Sequence, residues 1–366
     1  MSVTDTPDRP INLQSNYPVL AEQDAMWKAL LHDAVDRFAP QSLRLGAFGG
    51  SLGNRELAAA WLDLPVARTW ICEGGHHGTL TALLAAGLTG KTVAVEALTY
   101  PWFVRQAQML GMRVVAVRFD EQGANPEALA EACRREPIAA LYTMPTHHNP
   151  TGVTAPLSRR HALTSVAREY GLTIIEDAAY GFLVDEEPPR YISLAPERAF
   201  YIESLSKRVA PGLRTGFVAG PESLATQIEL ALRMTTSGSS TLLTSLGCAM
   251  AADGSLASVL GVKRAEGAVR LAKAQDLLAG FNFSAGPNSW HLWLTLPEHC
   301  ELSAEALERL CEGNGVLITG AQWFTAPGAE VPRAVRLALG GETDWMRVER
   351  GLEIFARLVR RQAQKR

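Results

Sequence analysis

The stretch "RAFYIESLSKRVAPGLRTGFVAG", residues 198–220, sets two apolar runs on either side of a polar turn. The runs "RAFYI" and "GFVAG" read as strands. Between them the chain gathers Ser204, Ser206 and Lys207 and, after a Pro-Gly turn, Arg214. A lone lysine after a strand is usually a solvated surface residue. Two hydroxyls and a guanidinium beside it argue for a ligand that uses all four groups.

Outward from this stretch the chain alternates. Short β-rich runs are "TWICEG", "KTVAVEA", "RVVAVRF", "IAALYTM", "LTIIEDA", "AFYIES" and "TGFVAG", and helical runs such as "HGTLTALLAAG" and "PWFVRQAQMLG" lie between most of them. This alternation predicts an α/β fold, a mainly parallel sheet of seven strands with helices on both faces. After a long helix expected at 255–280, the runs "WHLWLTL", "GVLITG" and "AVRLALG", with helices near 303–313 and 344–360, predict a smaller α/β domain. We expect residues 1–44 to form an N-terminal arm and helix belonging to the small domain, 45–282 a large domain, and 283–366 the rest of the small one. The helix is expected at 21–39, with Met26, Leu30, Leu31, Ala34, Val35 and Phe38 on one face.

Bulk composition narrows the classes. The chain has 366 residues, 47% of them apolar and 20% charged, with a formal net charge of −3. That supports a sizeable core and gives no sign of a nucleic-acid or membrane-surface binder. Five scattered cysteines without a C-x-x-C pair suit a reducing compartment, so a cytoplasmic protein is expected. The polar start "MSVTDTPDRPINLQ" does not read as a signal peptide, and the longest apolar runs are too short to span a bilayer.

In an open α/β sheet, ligands bind beyond the carboxyl ends of the strands. After "TWICE" comes "GGHHGTL", where glycines at a helix start let backbone N–H groups approach an anion. The other strand ends offer Tyr100 and Trp102, Asn149 in "THHNPTG", Asp177 and Tyr180, and the opening stretch. An anion cradle, a flat aromatic, an amide, a carboxylate, a phenol and an amine describe a phosphorylated aromatic aldehyde with a ring nitrogen and a ring hydroxyl. A lysine amine forms a Schiff base with such an aldehyde, and a carboxylate keeps the ring nitrogen protonated. Arg214, the two serines and the Gly75–His76 amides suit the phosphate, Asn149 and Tyr180 the ring oxygen, and Tyr100 the ring face.

These motifs, "NPTG" at 149–152, "EDAAYG" at 176–181, "SLSKRVAPGLRTG" at 204–216 and "VRLALG" at 335–340, resemble the aminotransferases of fold type I that depend on pyridoxal 5'-phosphate. The likeness runs from about residue 11 to the C-terminal helix. It implies that Lys207 is the Schiff-base lysine and proton shuttle, that Asp177 pairs with the ring nitrogen, and that Asn149 and Tyr180 contact the ring oxygen. It implies too that Arg336 clamps the substrate carboxylate next to Asn149, and that the protein is a homodimer. Arg333 lies close enough in sequence to be confused with Arg336; alternation in "AVRLALG" favours Arg336. "INLQSNYP", "PTHHNPTG" and "SKRVAPGLRTG" are similar to the aminotransferase-like domain of MocR-type regulators, which carry a DNA-binding domain ahead of it. Here the module begins almost at Met1, so a free-standing enzyme is expected.

Two departures stand out. Leu45 in "LGAFGG" takes the place where relatives often carry a tyrosine that reaches the partner subunit's phosphate, and "EGGHHG" replaces the usual phosphate loop. The pairs His76–His77 and His147–His148 lack a supporting ligand set, so no metal site is expected; His147 or His148 could touch substrate. Trp290, Trp293 and Trp323 are expected to pack the small domain, and one of them near Arg336 could shape a side-chain pocket. Transamination is the favoured activity. A lyase, decarboxylase or racemase on the same fold, and a non-catalytic cofactor-binding sensor, remain the alternatives, because a fold does not fix a reaction.

Overall fold

The computed structural model describes residues 9–20 and 22–363. Seven strands form the main sheet: β1 (Thr69–Cys72), β2 (Thr92–Glu96), β3 (Arg113–Val117), β4 (Ile138–Thr143), β5 (Thr173–Asp177), β6 (Ala199–Ser204) and β7 (Gly216–Ala219). Their order is β1-β7-β6-β5-β4-β2-β3. From β6 to β3 every neighbouring pair is parallel, and β7 runs antiparallel to both β1 and β6. The mainly parallel sheet expected from the sequence is therefore present, built from the seven expected runs. All six residues of β6 are buried, as a strand covered on both faces requires.

The helices that bear on the site are α1 (Gln23–Ser42), α2 (Gly75–Ala85), α3 (Leu205–Arg208), α4 (Thr241–Asp253), α5 (Ser255–Leu277) and α6 (Trp345–Ala363). A second sheet holds β8 (Asn282–Ser284), β9 (His291–Thr295), β10 (Thr319–Gly320) and β11 (Ala334–Ala338) in the order β8-β9-β11-β10, all antiparallel. The run "GVLITG" serves two partners. Val316–Leu317 pairs in parallel with Ile11–Asn12, while β10 joins the second sheet.

Two apolar clusters result. The larger wraps the main sheet, and the smaller lies between the second sheet, α6 and the arm residues Ile11 and Leu13. Two expectations change here. Helix α1 does not pack with the smaller cluster: Met26, Trp27, Leu30, Leu31 and Phe38 lie against the larger one. Periodicity showed that α1 has an apolar face but not which core it meets. The helix packs on α4, and the buried Gln23 at its start donates from its amide to the Val209 carbonyl at 2.6 Å. Trp290 likewise belongs to the larger cluster, while Trp293 packs the smaller one. Among the described residues no single helix is long and apolar enough to cross a membrane.

The edge where β1, β6 and β7 meet is packed backbone to backbone. Gly216, the first residue of β7, pairs with Cys72 and Ser204. A Cβ there would lie 2.7 Å from the Gly74 Cα and 2.9 Å from the Glu203 carbonyl oxygen. Neither neighbour can rotate away. Gly216→Ala is therefore expected to cost about 1–3 kcal/mol, as overpacked interiors do. Urea unfolding should show a lower midpoint, and an unchanged midpoint would contradict this packing.

Candidate active site

Strand β6 delivers the lysine. Ser204 ends the strand and caps the single turn of α3, accepting from the Ser206 N–H at 3.2 Å and donating to the Ser206 hydroxyl at 3.0 Å. Lys207 then projects into a cavity of about 690 Å³. Its Nζ donates to the Asn16 carbonyl at 2.8 Å and stands 3.3 Å from the centre of the Tyr17 ring. Burial pushes this amine down to about 7; Arg336 adds to the effect and Asp177 opposes it. A lysine so placed is partly uncharged near neutral pH, which is what a nucleophilic amine needs.

Asp177 ends β5 and lines the same cavity. It accepts from the Tyr142 hydroxyl at 2.7 Å and from the Ala179 N–H at 3.0 Å. Burial, with Glu203 adding to it, holds its carboxyl above the usual range, and these two donors and Lys207 only partly oppose the shift. Glu96, at the end of β2, is buried nearby and accepts from Thr143. Burial raises it to about 8, so at neutral pH it is mostly the neutral acid. Asp177 is thus the carboxylate of this site.

The cradle forms where α2 begins. Gly74 has φ of 83°, a region in which a side chain would be strained, and a Cβ there would sit 3.3 Å from the Arg214 guanidinium. Arg214 itself has φ of 48° and donates to the Glu73 carbonyl at 2.6 Å. Gly75 and His76 in the first turn of α2, Ser204, Ser206 and Arg214 all line the cavity, and a Cβ on Gly75 would lie 3.7 Å from that of Ser204. The His76 ring holds the Tyr100 hydroxyl at 2.6 Å, and burial keeps that imidazole below its usual range, hence neutral.

Arg336 enters from the second sheet, on β11. It donates to the Asn149 side-chain oxygen at 2.8 Å and to the Gln14 carbonyl, and lies 4.9 Å over the Phe324 ring. Its Nε is buried without a protein partner. Arg333 instead turns to the Cys300 carbonyl and does not line the cavity. Tyr180 donates to the Asn16 carbonyl at 3.3 Å.

Every residue singled out as a site candidate lines this one cavity. His147 and His148 do not. His148 is tied to Thr151 at 2.9 Å and to the Leu98 carbonyl at 3.1 Å, and His147 to Ser289 at 3.0 Å. Trp323 lies half-exposed on the cavity wall rather than in a core. Two parts were missed. The arm residues Gln14 to Tyr17 supply the carbonyls that hold Arg336 and Lys207, in a stretch whose only signals were a proline and the likeness of "INLQSNYP". Tyr142 lies mid-sheet and reads in sequence as ordinary core.

The donor set fits a phosphorylated pyridine aldehyde: an anion cradle at one end, a carboxylate, a buried amine between, and an arginine with a spare donor. Residues 8–353 match the family aminotransferase class I and II, and the chain belongs to that family. It is similar to the 2-aminoadipate transaminase of Thermus thermophilus, 31% identical over 296 residues, which is 75% of this chain and 72% of that protein. It is also similar to YdeF, an uncharacterised HTH-type transcriptional regulator of Bacillus subtilis, 28% identical over 319 residues, or 86% of this chain and 69% of that one. In fold it matches LysN, an alpha-aminoadipate aminotransferase from Thermus thermophilus, with a TM-score of 0.85 and 23% identity, covering 98% of this chain and 94% of that one. The chain is thus a member of the aminotransferase class I and II family with the fold of these enzymes, and its donor set fits pyridoxal 5'-phosphate.

The lowered Lys207 amine has a direct consequence. In protein stripped of cofactor, its reaction with an amine-directed reagent should rise to half its maximum near pH 7, several units below an ordinary lysine. Peptide mass mapping of labelled samples across pH reads this site by site. A midpoint near 10 would remove the lysine from its dehydrated setting.

Proposed function

We propose that the chain moves an amino group between an α-amino acid and a 2-oxo acid, in two half-reactions that share the cavity. The observation that carries this reading is the shielded Lys207 amine, set between the Asp177 carboxylate and the Arg336 guanidinium. When bound, pyridoxal 5'-phosphate supplies an aldehyde carbon for the amine and a ring that accepts electrons.

The residues divide the work. Arg214, Ser204, Ser206 and the Gly75 and His76 amides hold the phosphate. Asp177, held in place by the Tyr142 hydroxyl and the Ala179 N–H, pairs with the ring nitrogen and favours its protonated form. Asn149 and Tyr180 set the ring oxygen, and Tyr100, fixed by His76, covers one ring face. Arg336 takes the substrate carboxylate. Its present partners, the Asn149 side-chain oxygen and the Gln14 carbonyl, are both neutral, and a carboxylate would compete favourably with them for the guanidinium. Lys207, once free, would remove the proton from the substrate Cα and return it to the former aldehyde carbon, on the far side of the nitrogen that joins the two. The Asn16 carbonyl gives that free amine a place to rest.

A homodimer suits the surface: Leu43, Leu45 and Leu52 are all strongly exposed on one connecting segment. All five cysteines are free, which fits a reducing compartment such as the cytoplasm.

A panel of L-amino acids added to cofactor-loaded protein tests the reading. Conversion of the lysine-linked absorbance to that of pyridoxamine phosphate, with a keto acid released, is expected for at least one donor class. Lys207→Ala should remove the linkage and lower turnover by at least about a thousandfold, as loss of a covalent catalyst does. Loss of CO₂ from the amino acid, or no conversion by any donor, would favour other chemistry or a sensor.

Asp177→Asn separates binding from chemistry. The variant should still take up cofactor, since the cradle is untouched. Proton removal from Cα should slow by about 10²–10³-fold, the size of other lost electrostatic contacts in dry sites. Single-turnover rates with an α-deuterated donor measure that step, and a wild-type rate would exclude the role.

A further inference from the structure

A second lysine stands directly behind the first. Lys263, on α5, is 1% exposed. Its Nζ donates to the Val209 carbonyl at 2.8 Å and to the carbonyl of Lys207 itself at 3.1 Å. Both acceptors lie at the C-terminal end of the single-turn helix α3, where carbonyl groups have no partner within the helix and a cation is favoured. Gln23 shares the Val209 carbonyl at 2.6 Å. The Trp290 indole in turn donates to the Lys263 carbonyl at 3.0 Å, fixing the backbone that carries the amine.

No carboxylate bonds to this amine among the described residues, and burial pushes it down to about 7. Burying a charge against neutral carbonyls alone is costly, and a methionine of similar length would fill the space at lower cost. The position therefore holds a group whose donors and charge act on the lysine turn. We propose that Lys263 is a positioning residue for Lys207: it pins the carbonyls that end α3, so that the Lys207 amine stands facing the cavity, and in its charged form it places a like charge behind that amine. This rests on the assignment of Lys207 as the cofactor-linked lysine.

The charges facing Lys207 come from three elements: Arg336 on β11, Asp177 at the end of β5 and Lys263 on α5, with the Tyr17 and Tyr180 rings beside the amine. Lys263 is the smallest of the three contributions, so its loss should move the amine modestly and upward.

The test compares Lys263→Met, Lys263→Gln and Lys263→Arg in cofactor-loaded protein and in stripped protein. Two readouts are taken. One is the pH midpoint of the lysine-linked absorbance. The other is the rate at which added cofactor becomes fixed to Lys207, trapped with borohydride and mapped by mass. Lys263→Met should raise the midpoint by about half a unit or more and slow attachment by about tenfold or more, the cost of a misplaced reacting group. Lys263→Arg should restore most of both. Lys263→Gln keeps one donor without charge, so it should shift the midpoint while attaching faster than the methionine variant; it also carries the test should the methionine variant fail to fold. A lower melting temperature with unchanged midpoint and attachment would overturn the proposal and leave Lys263 as packing alone. The wild type is the control. Failure of cofactor to attach to wild-type Lys207 would overturn the functional reading along with this one, whereas wild-type attachment with unaltered variants overturns this inference only.

Discussion

A primary amine kept from bulk water is the constraint on which the rest of the structure depends. A lysine on a surface loop stays protonated and hydrated, so it is a poor nucleophile. Here the Tyr17 ring lies 3.3 Å from Nζ, and the Asn16 carbonyl accepts one of its hydrogens. Arg336 adds a like charge from the other sheet. Each comes from a different part of the chain, and the cavity closes around the amine only when arm, main sheet and second sheet are all in place.

The turn bearing the lysine is held from below as well. Glu203, one residue before the Ser204 cap, is buried and accepts from the Arg208 guanidinium, from the Tyr201 hydroxyl at 3.1 Å and from the Ser204 N–H at 2.8 Å. A buried ion pair alone is weak evidence for stability. This one brackets the turn, since Glu203 precedes α3 and Arg208 ends it. With Lys263 on the carbonyl end, the one-turn helix is tied at both ends. Long helices hold their geometry by repetition; a single turn has none and needs such ties.

Much of this was legible in the sequence for a specific reason. The strand runs such as "AFYIES" are apolar without interruption because parallel strands are buried on both faces, and the polar residues that follow them mark the carboxyl edge of the sheet. Lys207, Asp177, Asn149 and Arg214 could therefore be placed by position alone. What stayed hidden depends on long-range contact. Nothing local shows that α1 packs on the larger core, since that depends on its contact with α4 and on Gln23 meeting the Val209 carbonyl. The arm works through main-chain carbonyls of Gln14 and Asn16, and main-chain atoms carry no side-chain signal. Tyr142 and Lys263 were hidden by their settings, a mid-strand and a long helix, where a polar side chain looks incidental until its partner is seen.

Charge balance ties these parts to the chemistry. The cavity collects Lys207, Arg214 and Arg336 against one carboxylate, Asp177, because Glu96 beside it is pushed up to about 8 and stays largely neutral. Were Glu96 ionised, two like charges would share a dry site and Asp177 would be driven toward protonation. It could then no longer hold a proton on a ring nitrogen. The desolvation that keeps Glu96 largely neutral therefore removes one like charge from beside Asp177. The same burial that lowers the Lys207 amine to about 7 strips part of its charge, so the guanidinium groups of Arg214 and Arg336 are what make this cavity suit anionic occupants.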